Sequence, residues 1–288
     1  MHPRIPIFLP FAALIVFSGC RPATPLPTTR KTPPAAIPAI AAMIPTLAAA
    51  PSPSGPAYPI LPSTEPTLVR KTIDGIGFEG VSFDSRTHRL AVVDQPGGPG
   101  SEYETASEVA RRQHALLAIN AGFFTPEGKP LGLLVSEGKA AGAWNSASSL
   151  GNGIFKQASN GTGSISRRSS RAAAASNATQ LLQAGPLLLE NGNRIHGLDG
   201  SKTALRSIIL TDGGQRWWIG KTSPCTLAAL GSALALASPT PWKIRNALNL
   251  DGGRSTDLFI SSAIPGGPVN RRGFLNRPVR NFLILTAR

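Results

Sequence analysis

Cysteine and histidine are scarce in this sequence, which has two cysteines and four histidines in 288 residues. A lone internal cysteine forms no internal disulfide, and none of the histidines has metal-ligand spacing. We therefore expect no metal and no cofactor. Cys225 is interpreted as a buried residue of a helix with Ser223 as N-cap and Pro224 in its first position, and not as a nucleophile.

Acidic residues are also few, 15 Asp and Glu against 29 Lys and Arg, so the net charge is +14. Five of these cations and one acid lie before residue 71, which leaves +10 on residues 71–288. Such a charge suggests a polyanionic partner: nucleic acid, anionic lipid or a phosphorylated substrate. The cations are scattered except in Ser166–Arg171, which is interpreted, with the residues up to Thr179, as a solvated loop. No nucleic-acid partner is expected.

No apolar run is long enough to span a bilayer, which needs about 20 residues. Ile5–Gly19 is an uncharged run of 15 residues that follows Arg4, as in the apolar region of a secretory signal. The small residues before Cys20 resemble a bacterial lipobox. Residues 1–19 are therefore predicted to be a lipoprotein signal peptide, with Cys20 lipidated and the protein exported and membrane-anchored. An ordinary signal peptide with a free thiol is the alternative.

The tract that follows Cys20 is rich in proline and alanine. Repeated prolines block helices and strand ladders, so residues 20–66 are predicted to be an extended tether. Residues 67–288 are then long enough for one domain with a sizeable core.

Short apolar runs separated by Gly, Asp and Asn turns predict many strands and few helices. Expected turns are Glu137-Gly138, Asn191-Gly192 and Asp212-Gly213-Gly214. The fold class is therefore α+β, a single domain with a mixed, mostly antiparallel curved sheet and a few helices. Predicted strands include Phe78–Phe83, His88–Asp94, the start of Ala115–Phe124 and the terminal Arg280–Arg288; a helix is predicted within Gly100–Gln113.

One loop combines several reactive or polar side chains with two glycines. In "ALNLDGGRSTDLFI" (Ala247–Ile260) a carboxylate, a guanidinium and two hydroxyls surround two glycines. Glycine permits positive φ and close backbone approach. A tight turn and a ligand-binding loop both fit this local pattern, and the local sequence alone leaves them open.

Five segments occur in an order and spacing that resemble the phosphodiester glycosidase family, from about Ile76 to the C-terminus. They are "AINAGFFTPEGKPLGLLVSEGK", "QAGPLLLENG", "TALRSIILTD", "ALNLDGGRSTDLFI" and "RPVRNFLIL". Three positions depart from the family pattern: Ala121 and Arg254 stand where Gly is usual, and Arg280 where Pro is frequent. Arg254 adds a cation to the glycine loop.

The resemblance implies a hydrolase that cleaves the sugar from a sugar-1-phosphodiester in the cell envelope. It implies catalytic roles for Asp251, Arg206 and Asn120. Asp251 is a nucleophile, a base for water or a ligand of sugar hydroxyls, three roles that remain open. Arg206 is the first candidate for binding phosphate, because a guanidinium matches phosphate oxygens. Asn120 shapes the sugar pocket.

A phosphorylated glycan or sugar-1-phosphodiester is the expected partner of a monomeric protein. Two alternatives are a non-catalytic glycan-binding lipoprotein and an adhesive module for anionic polymers. The residues implied in substrate binding are Gly122, Phe123, Gly185, Gly252, Gly253, Arg254, Ser255, Thr256 and Arg277.

Overall fold

The computed structural model describes residues 64–288, whose strands pair antiparallel in every ladder. No helix among these residues is long and apolar enough to cross a bilayer. The strands are β1 (Thr67–Ile73), β2 (Ile76–Asp84), β3 (His88–Asp94), β4 (Leu117–Asn120), β5 (Leu134–Ser136), β6 (Lys139–Ala141), β7 (Gly153–Ala158), β8 (Gly163–Arg167), β9 (Ala178–Ala184), β10 (Leu187–Glu190), β11 (Asn193–Arg194), β12 (Ser207–Thr211), β13 (Arg216–Thr222), β14 (Asn246–Asn249), β15 (Asp257–Ile260), β16 (Val269–Arg272) and β17 (Asn281–Ala287).

These strands form three sheets. The first sheet has the order β1-β2-β13-β12-β14-β10-β11, the second β16-β15-β4-β17-β3, and the third β6-β5-β9-β7-β8. The helices are α1 (Ala106–Arg112), α2 (Arg171–Ala175) and α3 (Leu227–Leu236), with 3-10 turns at Ser149–Gly151 and Gly253–Ser255. The α+β class with mostly antiparallel strands and few helices is thus confirmed, and the strands divide among three sheets.

The main core lies between the sheets and draws apolar side chains from all three. Val81 and Trp217 of the first sheet, Leu117 and Leu283 of the second, and Leu182 of the third belong to one buried cluster. Burying a side chain of this kind contributes about 1.5–3 kcal/mol. The three sheets therefore stabilise one another.

Helices cover the outer faces of two sheets. Leu230 of α3 packs with Trp218 of the first sheet, and Val109 of α1 packs with Phe282 of the second. Thr105 caps α1 by accepting from the Glu108 amide. Each helix leaves the inner sheet faces free for the shared core.

The predicted turns are confirmed, and their backbone explains the residues used. Glu137 and Asn191 have φ of 46° and 52°, each followed by a glycine with positive φ. Two consecutive left-handed residues give the primed turn that matches strand twist. Asp212 accepts hydrogen bonds from the Gly214 and Arg216 amides and so holds the turn between β12 and β13.

The predicted N-cap of α3 is wrong. Thr226 caps the helix by accepting from the Ala229 amide, whereas the Ser223 hydroxyl accepts from the Gly77 amide. Cys225 is buried but precedes the helix, where it forms an isolated bridge with Ala204. Because the Ser223 hydroxyl bonds to β2 next to the end of β13, it does not cap the helix. The helix therefore begins about one turn later than predicted.

Residues 166–179 are mostly exposed, as predicted for a solvated segment, but the prediction that they form a loop is wrong. β8 continues to Arg167, whose guanidinium pairs with Glu190 at 2.7 Å. Ser170 caps α2, and Ala174 is the buried residue of that helix. β8 and α2 each contain only one buried apolar residue. Their sequences therefore lack the apolar periodicity by which a strand or a helix is predicted.

Arg280, which departs from the family pattern, is buried in an ion pair. Its Nε and Nη2 atoms lie 2.8 and 2.9 Å from the two oxygens of Asp94, and Nη1 donates to the Gly128 carbonyl at 3.2 Å. This bidentate contact ties the segment before β17 to the end of β3.

Candidate active site

The loop after β14 crosses from the first sheet to the second, and main-chain bonds hold it on both sides. The Leu250 amide donates to the Ser207 carbonyl at 2.8 Å, while the Asp251 amide donates to the Ala121 carbonyl at 2.9 Å. The Gly253 amide then donates to the Leu205 carbonyl at 2.8 Å. Asp251 therefore lies where strand ends of two sheets meet.

Both glycines of this loop have a backbone reason. A Cβ at Gly252 would lie 2.5 Å from the Leu205 carbonyl oxygen, a distance that no side chain tolerates. Gly253 has φ of +60°, in the left-handed region that favours glycine. The two glycines thus let the loop that carries Asp251 pass close to the start of β12. This close approach explains both glycines without a ligand.

The carboxyl group of Asp251 has a strongly perturbed acidity. Burial raises the pKa of Asp251 to about 6, against the opposing effects of the Ser255 hydroxyl, the Gly252 amide and the positive charge of Lys202. The Gly252 amide donates to Oδ1 at 2.8 Å. A carboxyl with its pKa near neutrality is typical of groups that exchange protons in active sites, though structural carboxyls share the property.

Asn120 holds the loop from beneath. Its Nδ2 atom donates to the Asp251 carbonyl at 2.7 Å, and its Oδ1 atom accepts from the Ser207 hydroxyl at 2.7 Å and the Asp257 amide at 3.2 Å. The side chain is fully buried at 0% exposure. Because it has no free surface, we interpret Asn120 as a positioning residue that orients the loop.

Arg206 lies against the same loop through its backbone. The position of a Cβ on Gly252 would be 3.5 Å from the Arg206 Cα. The guanidinium, however, donates from Nε to the Cys225 carbonyl at 3.1 Å and from Nη2 to the Lys202 carbonyl at 2.5 Å. Among residues 64–288 it makes no direct contact with the Asp251 carboxylate. Arg206 therefore braces the segment that precedes β12, with Nη1 left outside these bonds.

Cys225 does not take part as a nucleophile. Burial raises the pKa of its thiol above the ordinary value. A thiol held neutral and buried is unreactive.

Lys202 is a site residue that the sequence did not indicate. Its ammonium group is on the exposed segment before β12 and acts on the pKa of Asp251 by its charge. It stands directly before the quoted "TALRS" segment. Nothing in its spacing distinguishes it from the other scattered cations.

The rest of the glycine loop is partly exposed. The Ser255 hydroxyl lowers the pKa of the Asp251 carboxyl group, and Thr256 is buried. Arg254 is exposed and reaches the Leu275 carbonyl at 3.4 Å, while Arg277 is exposed with no hydrogen bond to another residue in the described part of the chain. The loop thus presents one carboxylate with cations at its rim.

The remaining predicted binding residues have packing roles. The Gly122 amide donates to the Asn281 Oδ1 atom at 2.6 Å, and Phe123 beside it is half-buried. A Cβ at Gly185 would lie 2.2 Å from the Ser149 carbonyl. The Gly185 carbonyl accepts from the Asn249 side chain at 2.9 Å, which connects the third sheet to the end of β14.

Buried polar groups around this loop are incompletely paired. Among the described residues, seven buried side-chain atoms have no hydrogen-bond partner, and four of them belong to strand ends that surround Asp251. Buried polar atoms are nearly always paired, so each of these four has a hydrogen-bonding capacity that ordered water or a ligand would satisfy. The four atoms are Asn249 Oδ1, Thr256 Oγ1, Asp257 Oδ1 and Asn281 Nδ2.

Within residues 64–288 no group of three or more His, Cys, Asp or Glu side chains is placed to hold a metal ion. Two surface clefts lie elsewhere, one of about 540 Å³ beside Ile264 and one of about 500 Å³ beside Trp242. Neither includes Asp251, so we assign the site from its chemistry and not from cleft size.

A comparison with protein families decides the relationship of this chain. The profile of the phosphodiester glycosidase family matches residues 113–286, a range that includes Asn120, Arg206 and Asp251. The protein belongs to the phosphodiester glycosidase family. A comparison with curated proteins finds no significant match.

Solved structures of three proteins are similar in fold to this member of the family. One is the catalytic domain of zebrafish N-acetylglucosamine-1-phosphodiester alpha-N-acetylglucosaminidase, auto-inhibited by its pro-peptide, with TM-score 0.55, 20% identity and coverage of 78% of this chain and 83% of that one. A hypothetical protein from Synechocystis has TM-score 0.50, 18% identity and coverage of 77% and 61%. A protein of Burkholderia pseudomallei described as exported has TM-score 0.50, 14% identity and coverage of 73% and 74%.

The acidity of Asp251 predicts how stability depends on pH. Because the pKa of Asp251 is about 6 when folded and 3.8 when unfolded, the folded state binds more protons between these values. Wild type should therefore lose stability relative to Asp251→Asn as pH rises from about 4 to 7. The relative loss should be at most about 3 kcal/mol and is reduced by partial exposure of the side chain.

Urea unfolding of both proteins across this range measures the difference. Asp212→Asn is the matched control, since Asp212 forms an exposed ion pair with Arg216. A difference between wild type and Asp251→Asn that stays constant from pH 4 to 7 would show that Asp251 is not desolvated.

Proposed function

We propose that this protein hydrolyses sugar-1-phosphodiesters, releasing the sugar and a phosphomonoester. The carrying observation is a desolvated carboxyl group, Asp251, on a loop inside the region that matches the phosphodiester glycosidase family. The zebrafish structural relative is named for removing N-acetylglucosamine from such a diester. The fold class and the order of the shared segments agree with that activity.

The chemistry suits a site with one carboxyl group. In a sugar-1-phosphodiester the leaving group is a phosphomonoester, which departs as a stabilised anion. Ordinary glycosidases use a second carboxyl group to protonate a poorer leaving group. Here water supplies the hydroxyl to the anomeric carbon, the bond from that carbon to the phosphate oxygen breaks, and the water proton passes to solvent.

Asp251 acts in its ionised form in this proposal. With a pKa of about 6, most of the carboxylate is ionised at neutral pH. As a nucleophile it attacks the anomeric carbon, the phosphomonoester leaves, and water then hydrolyses the glycosyl ester so formed. As a base it takes a proton from the attacking water and afterwards releases that proton to solvent. Both roles fail when it is protonated. The Gly252 amide orients the carboxylate by a hydrogen bond, and the Ser255 hydroxyl favours its ionised form.

Cations at the rim of the site bind the phosphate. Lys202 lies close enough to Asp251 to act on its pKa, and Arg254 and Arg277 are exposed on segments in contact with each other. Arg206 is buried and supports this rim indirectly, because its Nη2 atom donates to the Lys202 carbonyl. Such cations stabilise the charge that grows on the leaving phosphate.

An anionic-polymer-binding role is the second candidate. The charge of +10 on residues 71–288 favours it, since scattered cations attract polyanions without a dedicated site. That role requires no Asp251, and its binding falls steeply with salt.

The proposal places the enzyme outside the cytoplasm. Residues 1–19 would direct export, a lipid on Cys20 would anchor the chain, and residues 20–66 would tether the domain; these features lie outside the described residues, apart from the last three of the tether. The apolar run before Cys20 supports this location. One structural relative is described as exported.

Replacement of Asp251 tests the activity. Asp251→Asn should reduce release of sugar from a sugar-1-phosphodiester by about 10³-fold or more, because an amide neither attacks carbon nor accepts the water proton. In wild type the rate should fall on the acidic side of about pH 6, where the carboxylate becomes protonated. Free sugar and phosphomonoester are both quantified over a panel of diesters.

Asp212→Asn again serves as the matched control and should keep full turnover. Unchanged turnover in Asp251→Asn would remove this residue from the mechanism. If wild type binds a diester or polyanion and releases no sugar from any member of the panel, the protein is a binding module.

Anchoring has a separate test. Wild type expressed in a bacterium should fractionate with membranes and carry radiolabelled palmitate, whereas Cys20→Ala should carry none and either leave the membrane or remain unprocessed. Cys225→Ala is the matched control, since that thiol is buried. Unlabelled wild type in the soluble fraction would contradict the lipobox interpretation.

A further inference from the structure

A β-turn beside the candidate site carries two large apolar side chains at its apex. The Asn276 amide donates to the Gly273 carbonyl at 3.1 Å, so Phe274 and Leu275 are its central residues. Phe274 is 101% exposed and Leu275 68%. Turn centres usually carry proline, glycine or small polar residues. Among the described residues, Leu236 is the one other large apolar side chain with comparable exposure.

This apolar turn is held against the glycine loop that bears Asp251. The Asn276 side-chain amide donates to the Thr256 carbonyl, and Arg254 donates to the Leu275 carbonyl at 3.4 Å. Its apex therefore has a defined position relative to the candidate active site, and whatever contacts Phe274 lies beside that site.

Uncompensated positive charge flanks the apolar turn. Arg254 and Arg277 are exposed, and neither forms an ion pair within residues 64–288, whereas both arginines of β16 are paired with carboxylates. Glu104 lies on the β16 side, where its carbonyl accepts from Arg272. The side that faces the glycine loop is thus apolar at its apex and cationic at its base.

The size and shape of this feature distinguish between kinds of partner. A stable protein interface buries about 800 Å² on each side, far more than two side chains at the apex of a turn supply. A bilayer surface instead accepts a small apolar protrusion into its acyl boundary, while arginines around it meet lipid phosphates. Only the bilayer uses both the apolar apex and the flanking cations.

We propose that the apolar turn inserts Phe274 and Leu275 into the surface of an anionic lipid bilayer, with Arg254 and Arg277 on lipid phosphates. The contact would bring the Asp251 loop to the headgroup layer. There it would act on a sugar-1-phosphodiester whose second ester is to a lipid, so the substrate phosphate that Arg254 and Arg277 bind in the proposed reaction would itself be a lipid phosphate. This last consequence rests on the proposed hydrolase function, whereas the membrane contact does not.

A fluorescent label on the apolar turn tests the contact. The full chain carries Cys20→Ser and Leu275→Cys labelled with a nitrobenzoxadiazole dye, which brightens and shifts to the blue on leaving water. Cys225 is 6% exposed and stays unlabelled in the folded protein. The matched control carries the label at Leu236→Cys, since Leu236 is 78% exposed on α3. Both are mixed with vesicles containing phosphatidylglycerol or only phosphatidylcholine.

The label at residue 275 should brighten several-fold on phosphatidylglycerol vesicles and be quenched by spin-labelled lipid. The label at residue 236 should not change. Adding Arg254→Gln and Arg277→Gln should abolish the preference for phosphatidylglycerol.

Three results would overturn the proposal. They are a label at residue 275 that stays in water while the protein sediments with vesicles, an equal response at both positions, or a response at residue 275 to a soluble sugar phosphate without lipid. The last would assign the turn to substrate. Because the fluorescence readout needs no turnover, it tests the membrane contact separately from the hydrolase activity. A protein without hydrolase activity would still show the contact if the proposal is right, and an active hydrolase would show none if it is wrong.

Discussion

The buried amide of Asn120 is the interaction on which the candidate site depends. Within one side chain it donates to the carbonyl of Asp251 and accepts from Ser207 and Asp257. These partners lie after β14, at the start of β12 and at the start of β15, so a single residue joins the first sheet to the second. A buried polar network of this kind specifies a unique arrangement only when its members are satisfied.

The position of the loop has an electrostatic cost. Holding Asp251 between the sheets takes its carboxyl away from water, and burial is the largest cause of the raised pKa. The same burial makes the carboxylate sensitive to each nearby donor, because charges interact more strongly where water is excluded. The burial of this carboxyl group therefore has two consequences: it lowers the stability of the folded state and it brings the pKa close to neutrality. Functional sites commonly combine the two.

The strand pattern and the turns could be predicted because they depend on local residues. Alternating apolar positions and pairs such as Asn191-Gly192 carry their own structural signal. The divided sheets, and β8 with α2, depend on contacts between distant segments and left no periodic signal. Ser223 showed the same limit, since its hydroxyl is used by Gly77, which lies far away in sequence.

Candidate site residues could be named from the sequence, but their geometry could not. Asp251 and its glycines stood out by composition, but the buried position of Asn120 and the carbonyl partners of Arg206 depend on tertiary contacts. Lys202 is one lysine among many until the fold places it near Asp251. Asn281 lies in the segment "RPVRNFLIL", but the sequence does not show that its side chain accepts from the Gly122 amide.

The most direct test measures the pKa of Asp251 in wild type and in Asn120→Ala by carbon-13 NMR of the side-chain carboxyl. In wild type the pKa should be about 6. In folded Asn120→Ala, the loss of the bond to the Asp251 carbonyl should loosen the loop, admit water and bring the pKa down towards its ordinary value. A folded variant that keeps the wild-type pKa would contradict the claim that Asn120 positions the loop.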